Sequence, residues 1–440
     1  MNKQYIITLM LIVSATSVAA KNWTLKECID HAIKQNISIK QKENAKEQRA
    51  LQLSTDKNSR LPNLEASVSQ NFSFGRGLTS ENTYSNTNTS NTSLGLSTGM
   101  PLFTGMRIPN AIKLSQLNLE ASTADLEKAK NDIRMQVAQA YVQILYDMEI
   151  ADVAHSQIGI DSMQVIRLQA MANNGKASEA ELSQQKATLA QSRLTATQAD
   201  NNYRLSLLAL SQLLELPTPD DFTIERPDVS QLAVGALGIT SPDVVYAEAL
   251  GIKPEIQAEQ LRLKGTENSI KIAQSSFYPQ LSLSAGLSTN YYTTSGSNYD
   301  TFSKQIKNNF GQYIGLSLSV PIFNRFETRN NVRSAKLDRE TQTLALDNVK
   351  KTLYKEIQQV YYNSIAASSK YESSVQAEQS NNDAFKLMKA KYENGKANIT
   401  EFNESKNNYL KAESDLVQAK YEYLYQSRLM DFYRGKELNF

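Results

Sequence analysis

Side chains that commonly carry out enzyme chemistry are scarce in this chain. Its 440 residues include two histidines, His31 and His155, and one cysteine, Cys28. The segment Gly75-Arg76-Gly77 begins like a phosphate-binding loop, but it lies in a polar Asn/Thr-rich tract and opens no apolar helix. Two histidines without a cluster also offer little to a transition metal. The sequence therefore predicts a protein that is not an enzyme, with no catalytic residue, metal or cofactor.

Glu401 and Glu404 are two closely spaced acidic residues. They follow Gly395 closely, in a segment that reads as helix, and their spacing of three places both carboxylates on one helix face. Like charges held close together favour cations, repel anions and can raise each other's pKa. The simpler alternative is a pair of solvated glutamates on a helix surface.

The composition argues against a nucleic-acid-binding protein and against a helical membrane protein. Lys and Arg number 47 and Asp and Glu 45, so no excess of positive charge exists to neutralise the phosphates of a nucleic acid. Beyond the N-terminal segment, no run of about 18 mainly apolar residues occurs, which argues against a transmembrane helix. A membrane β-barrel is compatible with this composition, because its strands are short and only half apolar.

The N-terminus has the three parts of a secretory signal peptide. Lys3 supplies a basic start, Tyr5–Val13 is apolar, and Val18-Ala19-Ala20 offers small residues for cleavage. We therefore predict a signal peptide over residues 1–20, and hence export. An exported protein with one cysteine has no internal disulfide, so Cys28 is expected to be a small buried side chain on the first helix.

The remainder of the chain contains an internal duplication. Matching segments at an offset of 220 residues are Leu94–Ser97 with Ile314–Ser317, Pro101–Phe103 with Pro321–Phe323, and Gly175–Ala177 with Gly395–Ala397. Such self-similarity predicts two structural repeats, which we place at residues 21–214 and 244–440. Residues 215–243 hold four of the ten prolines and are predicted to be a linker.

Each repeat is predicted to open with a helix and continue with two strands. Thr24 and Glu27 have the spacing of a capping box at the first helix. Strands are predicted at residues 64–74, 93–100, 281–289 and 312–320, where apolar residues alternate with small or polar ones. The polar stretches Gly75–Ser93 and Ser288–Asn309 are expected to be loops. Apolar residues on one face and small polar ones on the other are typical of a barrel wall in lipid; a soluble sandwich would need a covering layer.

After the strands, each repeat is predicted to form a long helical hairpin. Between Pro321 and Gly435 there is no proline, and the only glycine is Gly395. The segment 325–393 would form a helix about 100 Å long, and the hairpins would turn near residues 175 and 395. Apolar residues form only a narrow stripe, which predicts a coiled-coil wall that is wet on its other face.

This organisation resembles the TolC-like outer-membrane efflux protein family over essentially the whole mature chain. The most specific points of resemblance are the Pro-x-Phe strand exits at Pro101 and Pro321 and the Asn-Gly-Lys-Ala turns at Asn174 and Asn394. The resemblance implies a mainly α fold with a β-barrel part: four transmembrane strands per chain complete a 12-stranded barrel as a homotrimer, and coiled-coil hairpins form a periplasmic tunnel. It also implies the outer membrane of a Gram-negative bacterium, in contact with outer-membrane lipid.

The resemblance also assigns roles to residues at the hairpin turns. Gly175, Lys176, Gly395 and Lys396 would form the tips at which a periplasmic adaptor protein docks. Glu401 and Glu404 would ring the constriction, and Tyr392 and Glu181 would share a bond that latches neighbouring hairpins. Where the family carries a tip arginine this chain has Ala397, which leaves Lys396 as the neighbouring cation.

The implied function is a passive exit duct that receives substrate from the adaptor and an inner-membrane transporter. An outer-membrane duct for type I protein secretion is an alternative, because the duct is passive in both cases. A third alternative, from a different class, is an exported structural coiled-coil protein with a small β head. Such a fibre would not need apolar aromatic residues near its strand ends, where Phe72, Phe74, Phe103 and Tyr291 suit a membrane interface.

Overall fold

The computed structural model describes residues 22–78, 82–217, 222–227 and 240–438. The predicted signal peptide and much of the predicted linker lie outside these residues. By their internal contacts the described residues form two units. Unit 1 contains the residues up to 41, 128–252 and those from 352 onward, and unit 2 contains 42–127 and 253–351. Within the described residues, no helix combines the length and the apolar character that a membrane span requires.

Fifteen elements follow one another along the described chain. In order they are β1 (Asn22–Trp23), α1 (Leu25–Gln35), α2 (Ile37–Asn58), β2 (Glu65–Leu78), β3 (Tyr84–Thr104), α3 (Arg107–Asn173), α4 (Glu179–Leu213), β4 (Thr223–Ile224), α5 (Pro242–Ile252), α6 (Pro254–Ser275), β5 (Gln280–Thr294), α7 (Phe302–Asn308), β6 (Gly311–Ser319), α8 (Glu327–Glu393) and α9 (Ile399–Tyr433).

The helices of the two repeats have matching lengths. α1 and α5 have 11 residues each, α2 and α6 have 22, α3 and α8 have 67, and α4 and α9 have 35. The strands are less similar, since β3 has 21 residues and β6 has 9. The second repeat also carries the short helix α7 between its strands. The repeats therefore agree in their helices and differ in the strand region.

In the part of the chain that the structure describes, three helices begin with a capping box. At α1 the predicted box is present: Glu27 N–H donates to Thr24 Oγ1 at 3.2 Å, and Thr24 N–H donates to the Glu27 carboxylate at 3.1 Å. Two further boxes start α4 and α9, after the hairpin turns. Each box satisfies amide groups that have no partner within the first helical turn.

The strands of both repeats join in one antiparallel sheet in unit 2, in the order β2-β3-β5-β6. The prediction of a loop at Gly75–Ser93 was wrong for most of that segment, because β2 continues to Leu78 and β3 begins at Tyr84. The loop expected at Ser288–Asn309 also contains the end of β5 and all of α7. The polar side chains led to this error, because the hydrogen bonds between strands are made by backbone groups and do not require apolar side chains.

The long helices bury the narrow apolar stripe that the sequence predicts. In unit 1, Ile133, Val137 and Ile144 of α3 are buried, and so are Leu353, Ile357 and Val360 of α8. Cys28 of α1 is fully buried and forms no disulfide, as predicted. Burial of one stripe per helix is the usual way in which long helices are stabilised by packing.

Candidate functional site

The turns of the two hairpins are alike. Gly175 and Gly395 have φ values of +70° and +71°, a left-handed conformation that costs glycine little. The next residue closes each turn: Lys176 N–H donates to Met171 O at 2.8 Å, and Lys396 N–H donates to Lys391 O at 2.9 Å. This is the Schellman end of a helix. Lys176 and Lys396 are exposed, so each turn presents one lysine to its surroundings.

Glu181 and Glu401, both predicted at the gate, start the helices that follow these turns. The Glu181 carboxylate accepts bonds from Ser178 N–H at 2.9 Å and Ser178 Oγ at 3.0 Å. The Glu401 carboxylate accepts from Asn398 N–H at 3.0 Å. These backbone and side-chain bonds from Ser178 hold the pKa of Glu181 below its ordinary value. The sequence carried this signal, because Ser or Asn followed three residues later by Glu is a capping box.

Glu404 lies nearly one turn beyond Glu401 on α9, and both side chains are exposed. Their spacing puts the two carboxylates on the same side of the helix. Phe402, between them, is fully buried. The structure thus keeps the two glutamates together on the outside of α9 and anchors this part of the helix through Phe402.

Tyr392 is buried and contacts Arg167 rather than Glu181. Its ring stacks on Phe402 with centroids 4.9 Å apart, and the Arg167 guanidinium carbon lies 5.0 Å from its centroid. Arg167 also donates to the carbonyl oxygen of Glu393 at 3.0 Å. Within the described residues no hydrogen bond joins Tyr392 to Glu181, and the Glu181 carboxylate accepts bonds at its own helix start.

Arg167 was missed by the sequence analysis. It belongs to α3 and contacts the end of α8, and 226 residues separate it from Glu393. No local pattern could have indicated that contact. Burial raises the pKa of Tyr392, the nearby Glu181 charge adds to this, and Arg167 opposes it. The cation that contacts Tyr392 is therefore Arg167, from the first hairpin, and not Lys396.

An aromatic cluster holds the end of the second hairpin together. Phe385, Tyr392 and Phe402 are buried against one another, and Ala397 and Ile399 pack on them. Tyr409 stacks on Phe385 with centroids 5.5 Å apart. Burial is the main reason why the pKa of Tyr409 rises to about 12, and the nearby Glu413 adds to it. Ala397, at the position of the expected arginine, thus contributes apolar contact.

In unit 2, the sheet has two chemically different faces. Directly opposed residues in an antiparallel sheet share a face. The register pairs Leu283 with Leu316 and Leu281 with Leu318 on one face, and Ser284 with Gly315 and Ser282 with Ser317 on the other. On the apolar face, Ile314, Leu316 and Leu318 are 82%, 68% and 64% exposed. β2 and β6 are the edge strands, each paired on one side within the described chain.

Helix α7 covers the part of β5 that extends beyond β6. Pairing between these strands ends at Ser288 with Gly311. Further along, Tyr292 N–H donates to Gln305 Oε1 at 3.0 Å, and Gln305 Nε2 donates to Tyr292 O at 3.0 Å. The Gln305 amide therefore makes the two bonds that a neighbouring strand would have made. It is the buried side chain of α7.

The arrangement of duplicated long hairpins and a two-faced sheet has known counterparts. A family model described as "Outer membrane efflux protein" matches residues 28–215 and 245–431, which covers most of both repeats. The chain belongs to the outer membrane efflux protein family. Its fold is that of TolC-like channel proteins.

Two named proteins give partial matches. The fusaric acid resistance protein FusA of Burkholderia cepacia is 29% identical over 262 residues, 58% of this chain and 45% of that protein. The pyoverdine export outer membrane protein OpmQ of Pseudomonas aeruginosa is 27% identical over 232 residues, 52% of this chain and 45% of that protein. Both matches therefore span less than half of the relative.

The solved structures support the fold over nearly the whole chain. The CmeC outer membrane channel of Campylobacter jejuni superimposes with a TM-score of 0.76 at 22% identity, covering 94% of this chain and 86% of that chain. At so low an identity, the likeness is one of fold.

Proposed function

We propose that this protein is one subunit of a passive exit duct in the outer membrane of a Gram-negative bacterium. The observation that carries the proposal is the sheet of unit 2, whose apolar face is exposed and whose opposite face is small and polar. Such a sheet suits lipid on one side and a polar lumen on the other. Family membership supports a role in efflux.

The duct is proposed to be a homotrimer with a 12-stranded barrel. Four strands cannot close a barrel, and an unpaired strand edge in lipid leaves backbone groups without partners. β2 and β6 are edge strands that end the sheet in the described chain. Pairing β2 of one copy with β6 of the next would remove all the edges, and three copies would give the twelve strands.

The hairpins are proposed to line a tunnel that receives substrate from a periplasmic adaptor and an inner-membrane transporter. The two turns match in backbone geometry and expose Lys176 and Lys396. Gly175 and Gly395 keep the turns narrow. We propose that these turns are where the adaptor docks, with the lysines as its electrostatic contacts.

Membrane fractionation and cross-linking test the duct itself. Expressed with its N-terminal segment, the protein is expected in the outer-membrane fraction, and a bifunctional cross-linker is expected to give a band of three chains. A soluble monomer would overturn the proposal. So would a fibrous assembly outside the membrane, which would favour the structural coiled-coil alternative.

Glu401 and Glu404 are proposed to make the narrowest part of the tunnel cation-selective. In a trimer they would place six carboxylates at one level. Substituting both with Gln removes the charge, and Gln at position 401 can still accept the capping bond from Asn398. The variant with Glu401→Gln and Glu404→Gln is expected to lose cation preference in single-channel recordings.

A matched control separates selectivity from a general effect of charge. Glu372 is an exposed carboxylate on α8, away from the turn, and Glu372→Gln is expected to keep the wild-type reversal potential. Unchanged cation preference in the double variant would remove Glu401 and Glu404 from the proposed role.

A further inference from the structure

A buried ion pair joins the two hairpins in unit 1. Asp161 of α3 and Lys406 of α9 are in direct contact, and both side chains have no exposed surface. Their separation in sequence is 245 residues. Removing two charges from water carries a large free-energy cost, which their mutual attraction recovers only with good geometry and further hydrogen bonds.

Further hydrogen bonds extend this pair to a third helix. Gln185 of α4 donates to Asp161 Oδ1 at 3.2 Å, and Ser192 of α4 donates to Asp161 Oδ2 at 2.6 Å. Asn403 of α9 donates to Gln185 Oε1 at 3.3 Å. Asp161 thus accepts bonds from α4 and α9 together. One carboxylate links three helices at a single level.

We call the group of Asp161, Lys406, Gln185, Ser192 and Asn403 the polar layer. Its chemistry is not one that raises the free energy of unfolding. Gln164 of α3 and Asn403 of α9 each bury a side-chain oxygen that has no hydrogen-bond partner among the described residues. These residues lie three positions from Asp161 and Lys406, on the side of the hairpin turns. Buried acceptors without a partner destabilise a protein, and a buried ion pair is often no more stabilising than apolar residues of the same size. Specification of one alignment of the helices is the best-attested use of such groups.

The layer is close enough to the gate residues to determine where they point. Lys406 is two residues from Glu404 and five from Glu401 on the same helix, so all three turn and slide together. The pair lies about three to four helical turns from Gly175 and Gly395. A change in the alignment of α9 against α3 would therefore move both carboxylates.

We propose that Asp161 and Lys406 are positioning residues that lock the register of α9 against α3 and α4, and thereby set the placement of Glu401 and Glu404. The lock concerns a single chain. Its effect on conduction rests on the proposed function.

The decisive variant replaces both charges with apolar residues, Asp161→Leu with Lys406→Met. Because two buried charges are removed, the unfolding temperature of this variant is expected to be equal to that of the wild type or higher. Because apolar contacts do not require one particular pairing of side chains, the helices are expected to lose their single register. The matched control is Glu149→Leu with Lys420→Met. Glu149 and Lys420 also join α3 to α9, at 2.9 Å, but this pair is partly exposed and lies further from the turns.

Spin labels measure the register without reference to conduction. Labels at Thr197→Cys and Asn407→Cys, both exposed positions on α4 and α9 that lie at different levels along the helices, are placed in a Cys28→Ala background and diluted with unlabelled chain. Pulsed dipolar spectroscopy is expected to give one narrow distance in the wild type and in the Glu149/Lys420 control. In the Asp161/Lys406 variant, a second distance is expected, because a shift of α9 along its axis by one helical turn of about 5.4 Å changes the separation of labels that lie at different levels.

The outcomes separate the two proposals. A single unchanged distance in the Asp161/Lys406 variant overturns the register lock, whatever the wild-type channel does. If that variant does not fold, Lys406→Gln replaces it, and an unchanged narrow distance there overturns the lock as well. A second population together with altered cation preference supports both proposals. A second population in the variant, when the wild-type protein forms no channel, supports the lock and overturns the duct.

Discussion

At the residue scale, Arg167 shows how one side chain can connect two hairpins. Its guanidinium lies over the Tyr392 ring and donates to the carbonyl oxygen of Glu393. The planar group can make both contacts at once because one face meets the ring while an edge carries the donors. The last turn of α8 is therefore held by a cation–π contact and by a hydrogen bond that satisfies one of its free carbonyl groups.

Replacing Arg167 is expected to loosen that turn. Arg167→Gln should increase amide hydrogen exchange at residues 394–397 by roughly fivefold, the effect of losing about 1 kcal/mol of local stabilisation. Arg167→Lys keeps the charge but loses the planar group, so we expect an intermediate effect. Equal exchange in all three proteins would show that the contact does not hold the turn.

Glu181 makes the start of α4 sensitive to acid. Its pKa is held below the ordinary value of 4.5 by bonds from Ser178, so the carboxylate form stabilises the helix start. That contribution is fully present above pH 4.5 and is lost as pH falls through the lowered pKa. Protection of the Glu181 amide, corrected for intrinsic exchange, is expected to fall over this acidic range.

The comparison for this prediction is Glu181→Gln, in which the side chain can still reach the Ser178 amide but does not titrate there. Its protection is expected to be independent of pH over the same range. A parallel decline in both proteins would assign the acid sensitivity to another group.

At the element scale, α7 substitutes for a strand. β6 has nine residues and begins at Gly311, opposite Ser288, whereas β5 has fifteen and continues to Thr294. The end of β5 would present free backbone groups, which in an edge strand invite pairing with another chain. The Gln305 side chain forms hydrogen bonds with both the N–H and the carbonyl oxygen of Tyr292, and Thr289 Oγ1 donates to Ile306 O at 2.7 Å. The short helix is thus a cover for a sheet edge.

Gln305→Ala is expected to weaken the attachment of α7 to the end of β5. The Tyr292 amide would lose its acceptor, at a cost of about 1–3 kcal/mol if the site stays closed. We therefore expect at least tenfold faster exchange of that amide. Lys304→Ala, which removes an exposed ion pair with Asp300, is expected to change it little. Slow exchange in Gln305→Ala would mean that other contacts hold α7 in place.

At the scale of the whole molecule, the proposed barrel makes opposite predictions for neighbouring residues of β6. Leu316 is on the apolar face and Ser317 on the polar face. An arginine facing lipid costs about 2–4 kcal/mol in each copy, so Leu316→Arg is expected to abolish recovery of trimers from the outer membrane. Ser317→Arg would face the lumen and is expected to assemble. Equal assembly of the two variants would contradict the assignment of faces.

Local features of this protein were readable from the sequence. The duplication, the long helices between glycine turns, the Thr24 capping box and the alternation in the strands are all present. Each depends on residues within a few positions of one another, through backbone conformation and side-chain periodicity. Signals of the same kind for the boxes at Ser178 and Asn398 were in the sequence but were not used.

Tertiary structure alone decided which distant residues meet. The strand order β2-β3-β5-β6, the contact of Arg167 with Tyr392 and the burial of Asp161 with Lys406 join residues up to 245 positions apart. The ends of β2 and β3 that were predicted from composition were wrong, because a strand can extend through polar residues wherever a partner strand supplies backbone hydrogen bonds. Local patterns determine the elements. Pairing between elements depends on the free energy of burying particular side chains together, which a single stretch of sequence does not contain.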